Sequence, residues 1–149
     1  MTRQPECLRR NINRLNRFVT LLQKRGVAFS DMHILTVVGR RTGELREVPV
    51  SVLQLARARY VFQAYPKSAW VANVRASPTV TLARGRRSST VRMVELPVEE
   101  RRSLLRDHVA NNPAKLDEWF VKTGLIEEAT PEALAAAAER IAIFRVEPT

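Results

Sequence analysis

The 149-residue sequence predicts one α+β or mainly β domain: a six-stranded antiparallel barrel, closed or partly split, decorated by helices. Three observations carry that expectation. Short runs rich in β-branched residues recur between glycine and proline turns, with hairpin-like connections around Gly39–Gly43 and Gly85. Helical periodicity is confined to the segments between and outside those runs. The chain finishes on a further apolar run, Ile141 to Val146, placed to return and close the sheet. An apolar content of 45% at this length supports a single core, so residues 1–149 read as one domain, with an N-terminal helix over 1–26 and a barrel with helical insertions over 33–149.

Taken in order, Leu8, Ile12, Leu15, Val19 and Leu22 follow helical spacing, while Arg10, Arg14, Arg17, Lys24 and Arg25 gather opposite them. A basic amphipathic helix over 8–25 either lies on an anionic membrane surface or covers a core with its apolar face. His33 to Val38 is the first strand and Leu45 to Leu55 the second. Pro49 lacks a ladder donor, so the pairing is expected to break or bulge there and free backbone groups for a ligand. Arg59 to Tyr65 is the third strand. Ser68 stands where it would cap a short helix that stops before Pro78, with Trp70 and Val74 on its buried face. Thr79 to Ala83 and Ser88 to Leu96 form a hairpin whose tip, Arg84 to Arg87, sits in solvent. Val98 to Asn111 is helical, with Glu99 and Glu100 at the positive end of its dipole. Pro113 restarts a helix through Val121, and Thr130-Pro131-Glu132 caps an alanine-rich helix to about Arg140.

The balance of 25 Lys and Arg against 15 Asp and Glu, a formal charge of +10, predicts attraction to an anionic partner. Nucleic acid is not expected, because aromatic residues suited to base stacking are not interleaved with the arginines. The single Cys7 allows no internal disulfide, and His33 and His108 lack the spacing of a metal motif, so no metal site is expected. These features fit a reducing cytoplasm, with peripheral contact at the inner membrane face open to the 8–25 helix. No stretch approaches the roughly 20 apolar residues needed to span a bilayer.

One stretch concentrates the chemistry. From Gly39 to Val50 a glycine-bracketed turn carries Arg40, Arg41 and Arg46, residues that bind phosphate or carboxylate through charge-assisted hydrogen bonds. A solvated basic turn is the alternative for such a stretch in isolation.

The combination of His33 to Gly43, Arg46-Glu47-Val48-Pro49-Val50, and Trp70 to Pro78 resembles the deazaflavin-dependent nitroreductase family of split-barrel oxidoreductases, over roughly Ile34 to Thr149. The resemblance implies a split barrel of the FMN-binding type that holds the deazaflavin coenzyme F420, an anionic hydride carrier with a phosphate and a polyglutamate tail. It implies that Gly39, Arg40, Arg41, Thr42, Gly43 and Arg46 bind the phosphate and tail. Val48, Pro49 and Val50 would line the ring, and Lys67, Ser68, Trp70 and Asn73 would close the opposite wall. Where many members carry a longer glycine-containing loop, this chain passes directly through Ala64 to Ser68, which resembles a short-loop subgroup linked to lipid-like or poorly defined substrates.

The implied reaction is hydride transfer from reduced deazaflavin to an electron-poor small or lipid-like acceptor, a quinone, enone or nitro compound. Such chemistry needs binding, orientation, exclusion of water and a proton. Tyr65 is the candidate proton donor, and a rim aromatic packed against Trp70 is its structural alternative. Two other readings stand beside the leading one: an FMN-binding oxidoreductase on the same barrel, and a non-catalytic cofactor-binding or membrane-surface module built on the N-terminal helix. Split barrels of this kind often form homodimers.

Overall fold

A computed structural model describes residues 32–55 and 57–149. The amphipathic helix expected over 8–25 lies outside them. Six strands form a closed antiparallel barrel: β1 (Met32–Val38), β2 (Leu45–Leu55), β3 (Ala58–Phe62), β4 (Thr79–Arg84), β5 (Arg87–Glu95) and β6 (Ile143–Pro148), in the order β1-β2-β3-β6-β5-β4. Helix α1 (Ala69–Ala76) joins β3 to β4, and α2 (Val98–Leu104), α3 (Leu116–Thr123) and α4 (Pro131–Ala136) fill the stretch between β5 and β6.

Side-chain alternation along β2 divides the protein into two cores. Val50 and Val52 point into the barrel, where they meet Leu35, Val37, Val61, Val80 and Phe144. Leu53 and Leu55 point out, and together with Phe62 they pack against Leu105, Phe120 and Leu134 of the C-terminal helical layer. Trp70, Val71 and Val74 of α1 belong to the barrel core, and the Trp70 ring lies 5.6 Å from that of Phe144. Helix α1 therefore closes the barrel mouth, while the other helices cover its flank.

Several expectations need correction. The β1–β2 ladder runs without interruption from Met32 opposite Ser51 to Val38 opposite Leu45, passing through Ile34 opposite Pro49, so Pro49 neither breaks nor bulges it. The reason lies in the phase of the hydrogen bonds. Gly39 N–H donates to the Glu44 carbonyl at 2.7 Å. Bonded pairs therefore fall at Val37–Arg46, Leu35–Val48 and His33–Val50, and Pro49 has its missing N–H on the edge facing away from β1. Strand β3 stops at Phe62 rather than Tyr65: Gln63 N–H still donates to the Ala142 carbonyl at 2.9 Å, but its side-chain Oε1 takes the Ala142 N–H and its Nε2 fastens the following loop. Strand β6 starts at Ile143, two residues later than expected, and α4 ends at Ala136 in a run of tight turns. The helix from Val98 widens into one π turn over Leu105–Val109 instead of continuing regularly to Asn111, and α3 starts at Leu116 after a turn at Pro113.

Both expected caps sit at helix starts, but they act differently. Thr130 Oγ1 accepts from Ala133 N–H at 3.1 Å, whereas Ser68 Oγ donates backwards to the Tyr65 carbonyl at 3.0 Å. Thr130→Ala is therefore expected to cost about 1 kcal/mol in urea unfolding. Ser68→Ala, which removes no cap, is expected to cost less.

Candidate functional site

The handover of β2 from one neighbour to the other creates the cleft. Residues Leu45 to Ser51 pair with β1, whereas pairing with β3 begins only at Val52. Along Leu45 to Ser51 the edge of β2 away from β1 has no strand partner among the described residues, and Pro49, having no N–H, leaves no unsatisfied donor there. Opposite that edge, the chain leaving β3 forms the 63–68 loop and then α1. The space between is a cleft of about 730 Å³.

Gln63 sets the far wall. Its side chain is buried, Nε2 donates to the carbonyls of Tyr65 (2.8 Å) and Pro66 (3.3 Å), and Oε1 accepts from Ala142 N–H at 3.2 Å. One amide thus ties the loop that carries Tyr65, Lys67 and Ser68 to the chain entering β6.

The near end is the Gly39–Gly43 turn. Gly43 N–H donates to the Gly39 carbonyl at 2.9 Å, and Gly43 takes φ +73°, a conformation that suits glycine. A Cβ on Gly39 would come within 3.0 Å of the Glu44 carbonyl and 3.4 Å of both Arg46 Nε and Thr42 Oγ1, so the glycine allows Arg46 and Thr42 to converge over the turn. Asn73, 5% exposed on α1, anchors the arrangement: its Oδ1 accepts from Arg40 N–H at 3.1 Å and from Arg40 Nη1 at 2.9 Å. An arginine 33 positions earlier in the chain thus satisfies the oxygen of this buried amide.

What remains unpaired defines the chemistry. Among the described residues, the N–H groups of Arg41 and Thr42 make no hydrogen bond, and Arg41, Arg46 and Lys67 have no carboxylate partner. Four cations, Arg40, Arg41, Arg46 and Lys67, line the cleft against a single carboxyl, Glu47. Beyond them the wall turns apolar through Val48, Pro49, Val50, Phe62 and Trp70. The donor set fits a phosphate or carboxylate at one end, and the apolar wall fits a flat ring at the other.

Of the residues singled out in the sequence, Gly39, Arg40, Arg41, Thr42 and Arg46 meet here with Val48, Pro49 and Val50, and across from them stand Tyr65, Lys67, Ser68, Trp70 and Asn73. Gly43 shapes the turn but stands outside the cleft wall. Tyr65 is 49% exposed, and its ring packs edge-on against Trp119, with centroids 5.9 Å apart, not against Trp70. Sequence reasoning passed over Glu47, Phe62, Ala64 and Ala69, which also line the cleft. Glu47 is the one acidic residue of β2, next to Arg46, and its sequence position gives it no further mark. Its Oε2 is buried without a hydrogen-bond partner, and burial pushes its carboxyl above the ordinary range. Among the described residues, no three His, Cys, Asp or Glu side chains come together as a metal site, and no helix is long and apolar enough to cross a membrane.

A family model described as F420H(2)-dependent quinone reductase matches residues 8–125. No curated protein sequence matches the chain. Among solved structures, the chain is similar to PhzG from Burkholderia lata in complex with tetrahydrophenazine-1-carboxylic acid, at 13% identity over 93% of this chain and 76% of that one, with a TM-score of 0.54. It is also similar to a FAD-binding protein from Mesorhizobium loti, at 19% identity over 85% and 86% of the two chains, with a TM-score of 0.51. An F420-H2 dependent reductase gives 24% identity over 79% of this chain and 95% of that one, with a TM-score of 0.46.

The Arg40–Asn73 contact generates a prediction. Asn73→Ala leaves two donors of Arg40 without their acceptor and is expected to lower stability by about 1–3 kcal/mol in urea unfolding. An unchanged midpoint would show that the turn and α1 are held together by other contacts.

Proposed function

The chain belongs to the F420H2-dependent quinone reductase family, and on that premise we propose that the cleft holds the deazaflavin with its anionic portion at the Gly39–Gly43 turn and presents it to a quinone or similarly electron-poor, lipid-like acceptor. The protein is an F420-dependent oxidoreductase. The observation that carries the assignment of the site is the meeting, in one cleft, of unpaired cationic and backbone donors with an apolar wall.

Each group has a task in this reading. Arg41, Arg46 and the N–H groups of Arg41 and Thr42 take the phosphate, and Lys67 adds charge from the opposite rim. Arg40, held by Asn73, keeps the turn from collapsing into the cleft. Val48, Pro49, Val50 and Trp70 orient the ring and exclude water from it. When bound in its reduced form, the coenzyme supplies a hydride from a ring carbon. The protein then needs no nucleophile, only a second surface against the ring on which the acceptor lies. The mixture of apolar wall and open mouth suits an acceptor with an apolar tail.

Arg41→Ala and Arg46→Ala are each expected to weaken F420 binding by about 1.5–3 kcal/mol, roughly tenfold or more, as read from quenching of coenzyme fluorescence. The loss should shrink as salt is raised, because the missing contacts are ionic. Wild-type affinity in the double variant would remove the anion from this turn. FMN in the same titration is the control for the cofactor itself, and tighter binding of FMN than of F420 would reverse the cofactor preference.

A further inference from the structure

We infer that the Glu47 carboxyl is the proton donor of the reaction, delivering its proton to the acceptor's oxygen within the cleft. This rests on the cleft being the coenzyme and acceptor site, as proposed above, and adds a catalytic group to it.

The geometry singles Glu47 out. Among the described residues it is the only carboxyl lining the cleft, and it lies on the stretch of β2 whose edge away from β1 has no strand partner. Strand alternation places it on the outer face of β2 with Pro49, the face that continues into Leu53 and the second core. One of its oxygens is fully covered yet receives no hydrogen bond. Negative charge on that covered oxygen would be costly, whereas in the neutral acid it is the carbonyl oxygen and the O–H sits on Oε1, which is not so covered and has no protein partner among the described residues.

The surroundings agree. The charged and titratable groups sharing the cleft are Arg40 and Arg41 on the turn, Arg46 on β2, and Tyr65 and Lys67 on the loop, and none of them is hydrogen-bonded to Glu47. Four cations would favour the ionised form, but burial opposes them and holds the carboxyl above its ordinary range. A carboxyl whose affinity for its proton is raised by burial is a known form of general acid. Tyr65, by contrast, is half exposed at the rim with its ring against Trp119.

The step balances. The acceptor is reduced by the two electrons of the hydride that reduced F420 supplies, and it becomes an anion. The Glu47 O–H bond breaks, its proton passes to the acceptor's oxygen, and the bonding pair remains on the carboxylate. Water then returns a proton to Glu47, while the coenzyme, having lost the hydride, is the oxidised product.

The test compares wild type, Glu47→Gln and Glu47→Asp, with reduced F420 as donor and a short-chain naphthoquinone as acceptor. Glu47→Gln is expected to bind F420 within about twofold of wild type and to lose kcat by about 100-fold or more. The fall of wild-type kcat with rising pH should vanish in Glu47→Gln and return, with partial activity, in Glu47→Asp. Carbon-13 NMR of the Glu47 side-chain carboxyl in the coenzyme-free wild type should show titration above the ordinary carboxylate range. Normal F420 binding with unchanged kcat and pH profile in Glu47→Gln, or titration of Glu47 in the ordinary range, overturns the role of Glu47 alone. Absence of F420 binding in wild type overturns the coenzyme site and the role of Glu47 with it.

Discussion

A single side-chain oxygen joins the two walls at the working end of this barrel. Asn73 Oδ1 receives the backbone N–H and the guanidinium of Arg40, fastening the β1–β2 turn to the helix that plugs the barrel mouth. The turn's own backbone bonds and the packing of α1 into the barrel hold the two elements near each other, and this contact joins them directly. With it, one arginine is committed to structure and its neighbours Arg41 and Arg46 are left with their donors unspent. In the proposed site the donors are therefore prepared before any ligand arrives, which would lower the ordering cost of binding.

The same economy appears in β2. An eleven-residue strand pairs with β1 over Leu45 to Ser51 and with β3 only from Val52, and the cleft lies along the open edge of the first stretch. A proline on that edge is well placed: it keeps the β1 ladder intact and shows no orphan donor to the open side. Gln63 does the corresponding work across the cleft, ending β3 and bracing the loop.

Most of the barrel was legible in the sequence. The periodicity of Met32–Val38 and Leu45–Leu55, the turn glycines and the Thr130-Pro131 cap each report a local preference that the fold keeps. The misses share a physical cause, which is that they depend on partners distant in sequence. The end of β3 is decided by Gln63 reaching Ala142, 79 residues away, and the harmlessness of Pro49 by which edge of β2 it faces. The cleft residues were also largely visible, because the Gly39 to Val50 stretch and the Trp70 to Asn73 helix carry their chemistry in their residue types. Glu47 was not visible in this way. In sequence it is one acid among arginines, and only burial without a partner sets it apart.

The account depends most on where the coenzyme's phosphate sits. A crystal structure with oxidised F420 bound measures this directly. The account predicts the phosphate within hydrogen-bonding distance of the Arg41 and Thr42 N–H groups and of Arg46, with the ring along Pro49 and Val50. Coenzyme bound at the opposite end of the barrel, or with its phosphate turned away from the Gly39–Gly43 turn, would contradict it.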